Sequence, residues 1–238
     1  MTTGRALKFW LVLAFPALAS ADVVFSDSTF NLANYTNPFT YSDGPISGVY
    51  SQCASCGNPG QALSTTVTLT TSGTATSNLD IGLLNTTFVY NPAVQGAISY
   101  ITASVDNSTS IDIATSVFNP FDVLIEQDGN FYATHGFSFP FSGFGTMFAI
   151  LHPNNFFQFN PVTGVTTQLS NPNFAGDPME FGIMIPSGSI ALPSFTETII
   201  YDNLTLAITA PEPTSLILLG TALAGLAALR LRNTCARR

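Results

Sequence analysis

Three sets of side chains in this 238-residue sequence are of types that do chemistry. Glu126 and Asp128 stand two residues apart, and alternation along a strand puts both carboxylates on one face, where a pair at suitable separation hydrolyses glycosides. Asp128 also opens an Asp-Gly dipeptide, so it has a turn to make whether or not it has chemistry to do. Cys53 and Cys56 enclose two residues, and in an oxidising compartment such a pair closes a small disulfide loop. Zinc would need further ligands, and the one other cysteine, Cys235, lies near the far end of the chain. Redox catalysis would need a cation or a helix start to lower a thiol pKa. His135 and His152 each stand alone among aromatic and apolar residues, with no Gly-x-Ser-x-Gly elbow to supply a nucleophile. No catalytic set is complete, so the chain is expected not to be an enzyme.

The segments that would position these residues read as strands. Turn signals recur along the chain: Asp43-Gly44-Pro45, Asn58-Pro59-Gly60, Asn91-Pro92, Asp106-Asn107, Asp128-Gly129, Asn160-Pro161 and Pro186-Ser187-Gly188. Phe121 to Gln127 and Asn130 to Thr134 make the clearest hairpin, because Asp128-Gly129 supplies the positive φ of a tight turn. Further strands are expected over Ser64 to Ser72, Thr86 to Tyr90, Ala97 to Val105, Ser110 to Phe118, Thr146 to Leu151, Phe156 to Phe159, Glu180 to Ile185 and Thr198 to Thr209. Cys53 and Cys56 fall in loop composition between Tyr50 and Gly57. No stretch of 22–210 keeps a 3.6-residue apolar period over three turns. Many short strands at regular spacing must bury one face against a second sheet, so the expected fold is an all-β antiparallel β-sandwich. Its densest feature is Phe137, Phe139 and Phe141, then Phe144 and Phe148, then Phe156, Phe157 and Phe159, which fill the core or form a partner surface.

Both ends lie outside that sandwich. Arg5 and Lys8, the apolar run Phe9 to Leu18 and the small residues Ala19-Ser20-Ala21 have the layout of a signal peptide over 1–21. Signal peptidase would cut before Asp22, with a second site before Ser20. At the other end stand Pro211-Glu212-Pro213, an uncharged run Thr214 to Leu229, then Arg230, Arg232, Arg237 and Arg238. As a helix the 16-residue run rises about 24 Å, a little short of a hydrocarbon core of about 30 Å. A transmembrane helix is expected over 214–231. Arg230 and Arg232 stop transfer and hold the C-terminus in the cytoplasm.

All six Lys and Arg residues lie in those two end segments, whereas 13 of the 14 acids lie in 22–210. Nucleic acid is excluded as a partner of the middle region, because phosphate binding rests on Lys and Arg. The acids solvate the surface or take a divalent cation such as calcium, the one cofactor considered.

The tail resembles the PEP-CTERM sorting signals of exported bacterial proteins: a Pro-Glu-Pro triplet, a short transmembrane helix and an arginine-rich end. The resemblance implies processing by an exosortase, a membrane transpeptidase-like enzyme, with Pro211, Glu212 and Pro213 as the recognition motif and the mature protein at the cell surface or released. It divides the chain into a signal peptide 1–21, an ectodomain 22–210 and a sorting signal 211–238. The ends of the ectodomain, Asp22 to Phe30 and Ile199 to Leu206, look like the paired terminal strands of jelly-roll sandwiches of the galactose-binding-like or concanavalin-like kind. Glu126-x-Asp128 looks like the start of the Glu-x-Asp-x-x-Glu motif of a concanavalin-like glycoside hydrolase family, with Phe131 where its third acid would be. A structural or adhesive role in the extracellular matrix is the leading expectation. Carbohydrate binding, with extracellular polysaccharide as partner, comes next, and a secreted hydrolase third.

Overall fold

The computed structural model describes residues 20–70, 76–111, 121–134, 143–168, 170–190, 194–211 and, in the tail, 220, 221, 224 and 225. The signal peptide, apart from Ser20 and Ala21, lies outside the described residues, as do Glu212, Pro213, Arg230, Arg232, His135 and Phe137 to Phe141. The four described tail residues are helical, and among the described residues no helix is long and apolar enough to cross a membrane. The chain divides into a unit of Ala21–Pro211 and a second unit of Met1–Ser20 with Glu212–Arg238.

The first unit is a two-sheet antiparallel sandwich. Sheet A runs β3 (Ile46–Gly57), β4 (Gly60–Leu69), β13 (Phe195–Pro211), β6 (Tyr100–Ile111), β9 (Gly145–Leu151), with β1 (Ser20–Asp27) also paired to β13. Sheet B runs β11 (Val165–Thr167), β10 (Phe156–Asn160), β8 (Asn130–Thr134), β7 (Asp122–Gln127), β12 (Met179–Ile190), β5 (Thr76–Tyr90), β2 (Tyr35–Asp43). One four-residue helix, α1 (Pro92–Gln95), starts at Asn91, whose side chain accepts the Ala93 N–H as its N-cap. The pairing of the first strand with the last brings the two ends of the ectodomain together, as the jelly-roll likeness implies.

Alternation determines which side chains enter the core. In β13 the residues Phe195, Ile199, Tyr201, Leu204, Leu206 and Ile208 are buried, while Thr198, Ile200, Thr205 and Thr209 are only half-buried. They meet Ile81, Leu83, Val123, Ile125, Ile183 and Ile185 of sheet B in one continuous apolar cluster. The inward face of β13 passes from odd-numbered to even-numbered residues at the bulge between Asp202 and Thr205, where two buried residues, Tyr201 and Asp202, follow one another.

Several strand ends differ from the expectation. Asp106-Asn107 is no turn but the interior of β6: Asp106 takes hydrogen bonds from the Thr146 hydroxyl (2.6 Å) and the Asn203 amide (2.8 Å), and Asn107 is fully buried. Pro186-Ser187-Gly188 likewise lies within β12, paired with Asp80, Leu79 and Asn78 of β5. Among the described residues the β7 pairing stops at Met184, so Pro186 lies beyond the last described β7 partner of β12. Cys53 and Cys56 sit not in a loop but in β3, at the register shift between Cys53 and Gly57. They are joined as a disulfide, with Cα atoms 5.7 Å apart. The hairpin β7/β8 turns at Asp128-Gly129, with φ of 53° and 73°.

Candidate functional site

The two faces of sheet B do different things. Leu79, Ile81 and Leu83 of β5, Val123 and Ile125 of β7 and Phe181, Ile183 and Ile185 of β12 enter the core, as do Phe88 and Tyr90 at the end of β5; on the opposite face, Leu84, Leu124, Met184, Ala133, Phe39 and Phe159 form a second buried cluster, flanked by Tyr41 and Phe131. Four strands separate β2 from β10, which would place them about 24 Å apart in a flat sheet at ~4.8 Å per strand. Yet the Phe39 and Phe159 rings are 4.9 Å apart, and Phe39 meets Phe131 edge-on at 5.2 Å. Sheet B is therefore curled, and its concave face is filled by its own rings. Two glycines permit this: the Phe39 ring lies against Gly82 where any Cβ would collide, and Gly164, at φ 63° in the β10/β11 turn, abuts the Tyr41 ring.

Beside this plug, the β8, β10 and β11 end of the sheet carries a cavity of about 470 Å³. Among the described residues its lining is uncharged: amides of Asn130, Gln158 and Asn160, hydroxyls of Thr163 and Thr167, and the apolar Phe131, Phe159, Pro161 and Val165. Gln158 and Asn160 share a strand face and stand opposite Thr167 and Val165. The Gln158 amide donates to Asn130 Oδ1 at 3.0 Å, which fixes both side chains at the rim. Nothing before the structure singled these residues out, because isolated Asn and Gln in strands carry no spacing signal.

The residues the sequence did single out are not brought together. Asp128 occupies the turn, and Glu126 Oε1 accepts the Gly129 N–H at 2.7 Å. The cross-strand neighbour of Glu126 is Glu180 of β12. Burial, and after it the charge of Glu126, raises the Glu180 carboxyl above its ordinary range. His152 is exposed, with its backbone N–H donating to Asn155 Oδ1 and its ring 6.1 Å from Tyr100. Among the described residues no group of three or more His, Cys, Asp or Glu side chains converges to hold a metal ion. Of the long aromatic run, Phe148 (63% exposed) and Phe144 point outward, while Phe156 and Phe159 are buried.

One acid outside any site has a measurable consequence. Asp80 lies across from Tyr41 and Pro186, and burial alone raises its pKa from 3.8 to about 7. The unfolded chain releases this proton above pH 4 while the folded chain keeps it, so the unfolded state binds fewer protons between those values and stability falls as pH rises. Each unit of displacement is worth ~1.4 kcal/mol. Thermal melting should therefore drop by several degrees from pH 4 to pH 7 and level off above, and Asp80→Asn should flatten that slope. An unchanged slope in the variant would show that Asp80 titrates normally.

At the C-terminal end, β13 continues through Thr209 and Ala210 and stops at the exposed Pro211. This is the junction with the apolar, arginine-ended tail. Residues 209–233 match the PEP-CTERM protein-sorting motif. The chain is an exosortase substrate. The PEP-CTERM motif makes it an exported protein whose precursor is membrane-anchored. A comparison with curated proteins finds no match. Among solved structures, the chain is similar to the family 11 carbohydrate-binding module of the cellulosomal cellulase Lic26A-Cel5E of Clostridium thermocellum, with 14% identity, 83% of this chain and 98% of that one covered, and a TM-score of 0.43. It is also similar to the same organism's family 11 module in complex with a β-1,3-1,4-mixed-linked tetrasaccharide (15%, 82% and 99%, TM-score 0.41) and to a xylan-binding domain from family 22 (14%, 77% and 92%, TM-score 0.27).

Proposed function

We propose that the sorted PEP-CTERM protein is a non-catalytic structural or adhesive component of the cell surface or extracellular matrix, and that it adheres by holding neutral polysaccharide. The observation that carries this reading is the uncharged cavity at β8, β10 and β11, where Asn130, Gln158, Thr163 and Thr167 offer both donors and acceptors beside apolar rings. A domain without Lys or Arg has nothing with which to hold a polyanion, whereas amides and hydroxyls suit the hydroxyl groups of a neutral glycan. Adhesion also needs no turnover: Glu126 is engaged by its own turn, and among the described residues the cavity lining contains no acid or histidine.

Affinity electrophoresis of residues 22–211 through gels containing neutral polysaccharides, mixed-linkage β-glucan and xylan among them, tests the reading. Retardation is expected, and Gln158→Ala should weaken it about tenfold, the loss of roughly 1.4 kcal/mol of hydrogen bonding. Migration unaffected by every neutral polysaccharide would remove the adhesive mechanism. Glycoside turnover that Glu126→Gln abolishes would replace it with hydrolysis.

A further inference from the structure

We propose that β9 is a docking edge for a second copy of this chain, the two A sheets joining side by side about a two-fold axis at Phe148. The inference is independent of glycan binding. Among the described residues β9 pairs with β6 alone, from Gly145 opposite Asn107 to Leu151 opposite Ile101, and its other side is a free sheet edge, a row of backbone N–H and C=O groups. Every second side chain of β9 turns inward: Met147 and Leu151 are buried, and Ala149 packs against the core cluster. The alternate ones do not. Phe148 and Ile150 stand on the outer face at 63% and 54% exposure, opposite the shorter Ser104 and Thr102 of β6. Single exposed apolar residues need no partner, whereas two on one face of a free edge strand mark a place where another strand adds to the sheet.

Among the described residues the other three sheet edges are blunted in ways that stop a strand from adding. β2 carries Pro38, a bulge between Thr36 and Phe39, and Asp43 at its end. β11 is three residues long. β3 breaks register between Cys53 and Gly57, where the Cys53–Cys56 disulfide closes the irregularity, and its Gln52 amide donates to the Thr29 carbonyl at 2.9 Å, tying the loop before β2 to it. β9 has no proline, no bulge and no charge over Gly145–Leu151. The lack of charge selects the occupant. A domain with 13 acids and no Lys or Arg repels its own copies wherever acids meet, so two copies can approach only along an uncharged border. The one acid on β6 across from β9, Asp106, is already held by the Thr146 hydroxyl at 2.6 Å and the Asn203 amide at 2.8 Å. The strand is also self-complementary. Antiparallel pairing centred on Phe148 sets that ring against its twin, Thr146 against Ile150 of the second copy, and Met147 against its Ala149, at the ~4.5–5.5 Å Cβ separation of cross-strand neighbours. Two seven-residue strands cover less than the ~800 Å² per partner of a standard interface, so the dimer is weak and forms where the protein is concentrated.

The test is sedimentation equilibrium of the exported protein recovered from the cells that make it, alongside the variants Phe148→Glu and Phe148→Lys. Phe148 is exposed, so neither substitution disturbs the core. The unaltered protein should double in mass as its concentration rises. Because the two-fold axis sets position 148 against itself, each variant brings like charges together, and its association should weaken by at least about tenfold. An equimolar mixture of the two variants pairs opposite charges and should dimerise again. A monomer at every concentration would overturn the proposal and leave the edge to a strand of some other protein. Variants that dimerise as the unaltered protein does, or a mixture that stays monomeric, would overturn it as well.

Discussion

Replacing Pro211-Glu212-Pro213 with three alanines leaves the protein as a membrane-retained precursor. The triplet opens on Pro211, the last residue of β13, and is followed at once by the apolar run from Thr214. Alanine restores the N–H groups that proline lacks and favours helix, so the backbone character of the motif would be lost together with its side chains. The removal of Glu212 also takes away the only carboxylate beyond the sandwich. The expected change is nearly complete: full-length chain in the membrane fraction and almost none outside, read by fractionation and intact mass. In unaltered cells, recovery of surface protein that still carries Arg237-Arg238 would sink this expectation, and so would normal release of the triple-alanine variant.

The second large effect is on the fold. Phe39→Ala should destabilise residues 22–211 by about 3–5 kcal/mol, the usual cost of truncating a buried phenylalanine. Its ring bridges β2 to β8 and β10 through Phe131 and Phe159, so its loss opens a cavity exactly where the two reaches of sheet B meet. Both edges would then be free to uncurl, and the effect should fall in the upper part of that range. Urea unfolding monitored by tyrosine fluorescence measures it. A change below about 1 kcal/mol would mean that the concave face is not packed by its own rings.

How far these features were legible before the structure differs from residue to residue. The Asp128-Gly129 hairpin was plain, because positive φ at both positions is a local demand that few other dipeptides meet. Asp106-Asn107 carried the same kind of signal and misled, since the partners that hold Asp106 in a strand, Thr146 and Asn203, are 40 and 97 residues away. Pro186 misled for a related reason: whether a proline breaks a sheet depends on how far the neighbouring strand reaches, and among the described residues the β7 pairing ends at Met184. The carboxylate pair read along one strand, Glu126 with Asp128, is in the fold a pair across two strands, Glu126 with Glu180. Cys53 and Cys56 looked like loop residues because a bulge inside a strand has the composition of a turn.

By itself the sequence determined where the protein is sent and what kind of surface it presents, because both depend on residue type and order alone: the Pro-Glu-Pro triplet, the apolar run and arginines, and the confinement of every Lys and Arg to the two ends. Alternating strands also determined that two sheets must face each other. Only the tertiary structure decided that sheet B curls until Phe39 meets Phe159, that the resulting concave face is filled, and that an uncharged cavity opens beside it. It alone placed Thr209 and Ala210 of the sorting motif inside the sheet. Curvature arises from contacts such as Phe39 with Phe159, and register from pairings such as Leu63 with Tyr201, all between residues far apart in sequence, and no local pattern encodes which distant ring will occupy a given face.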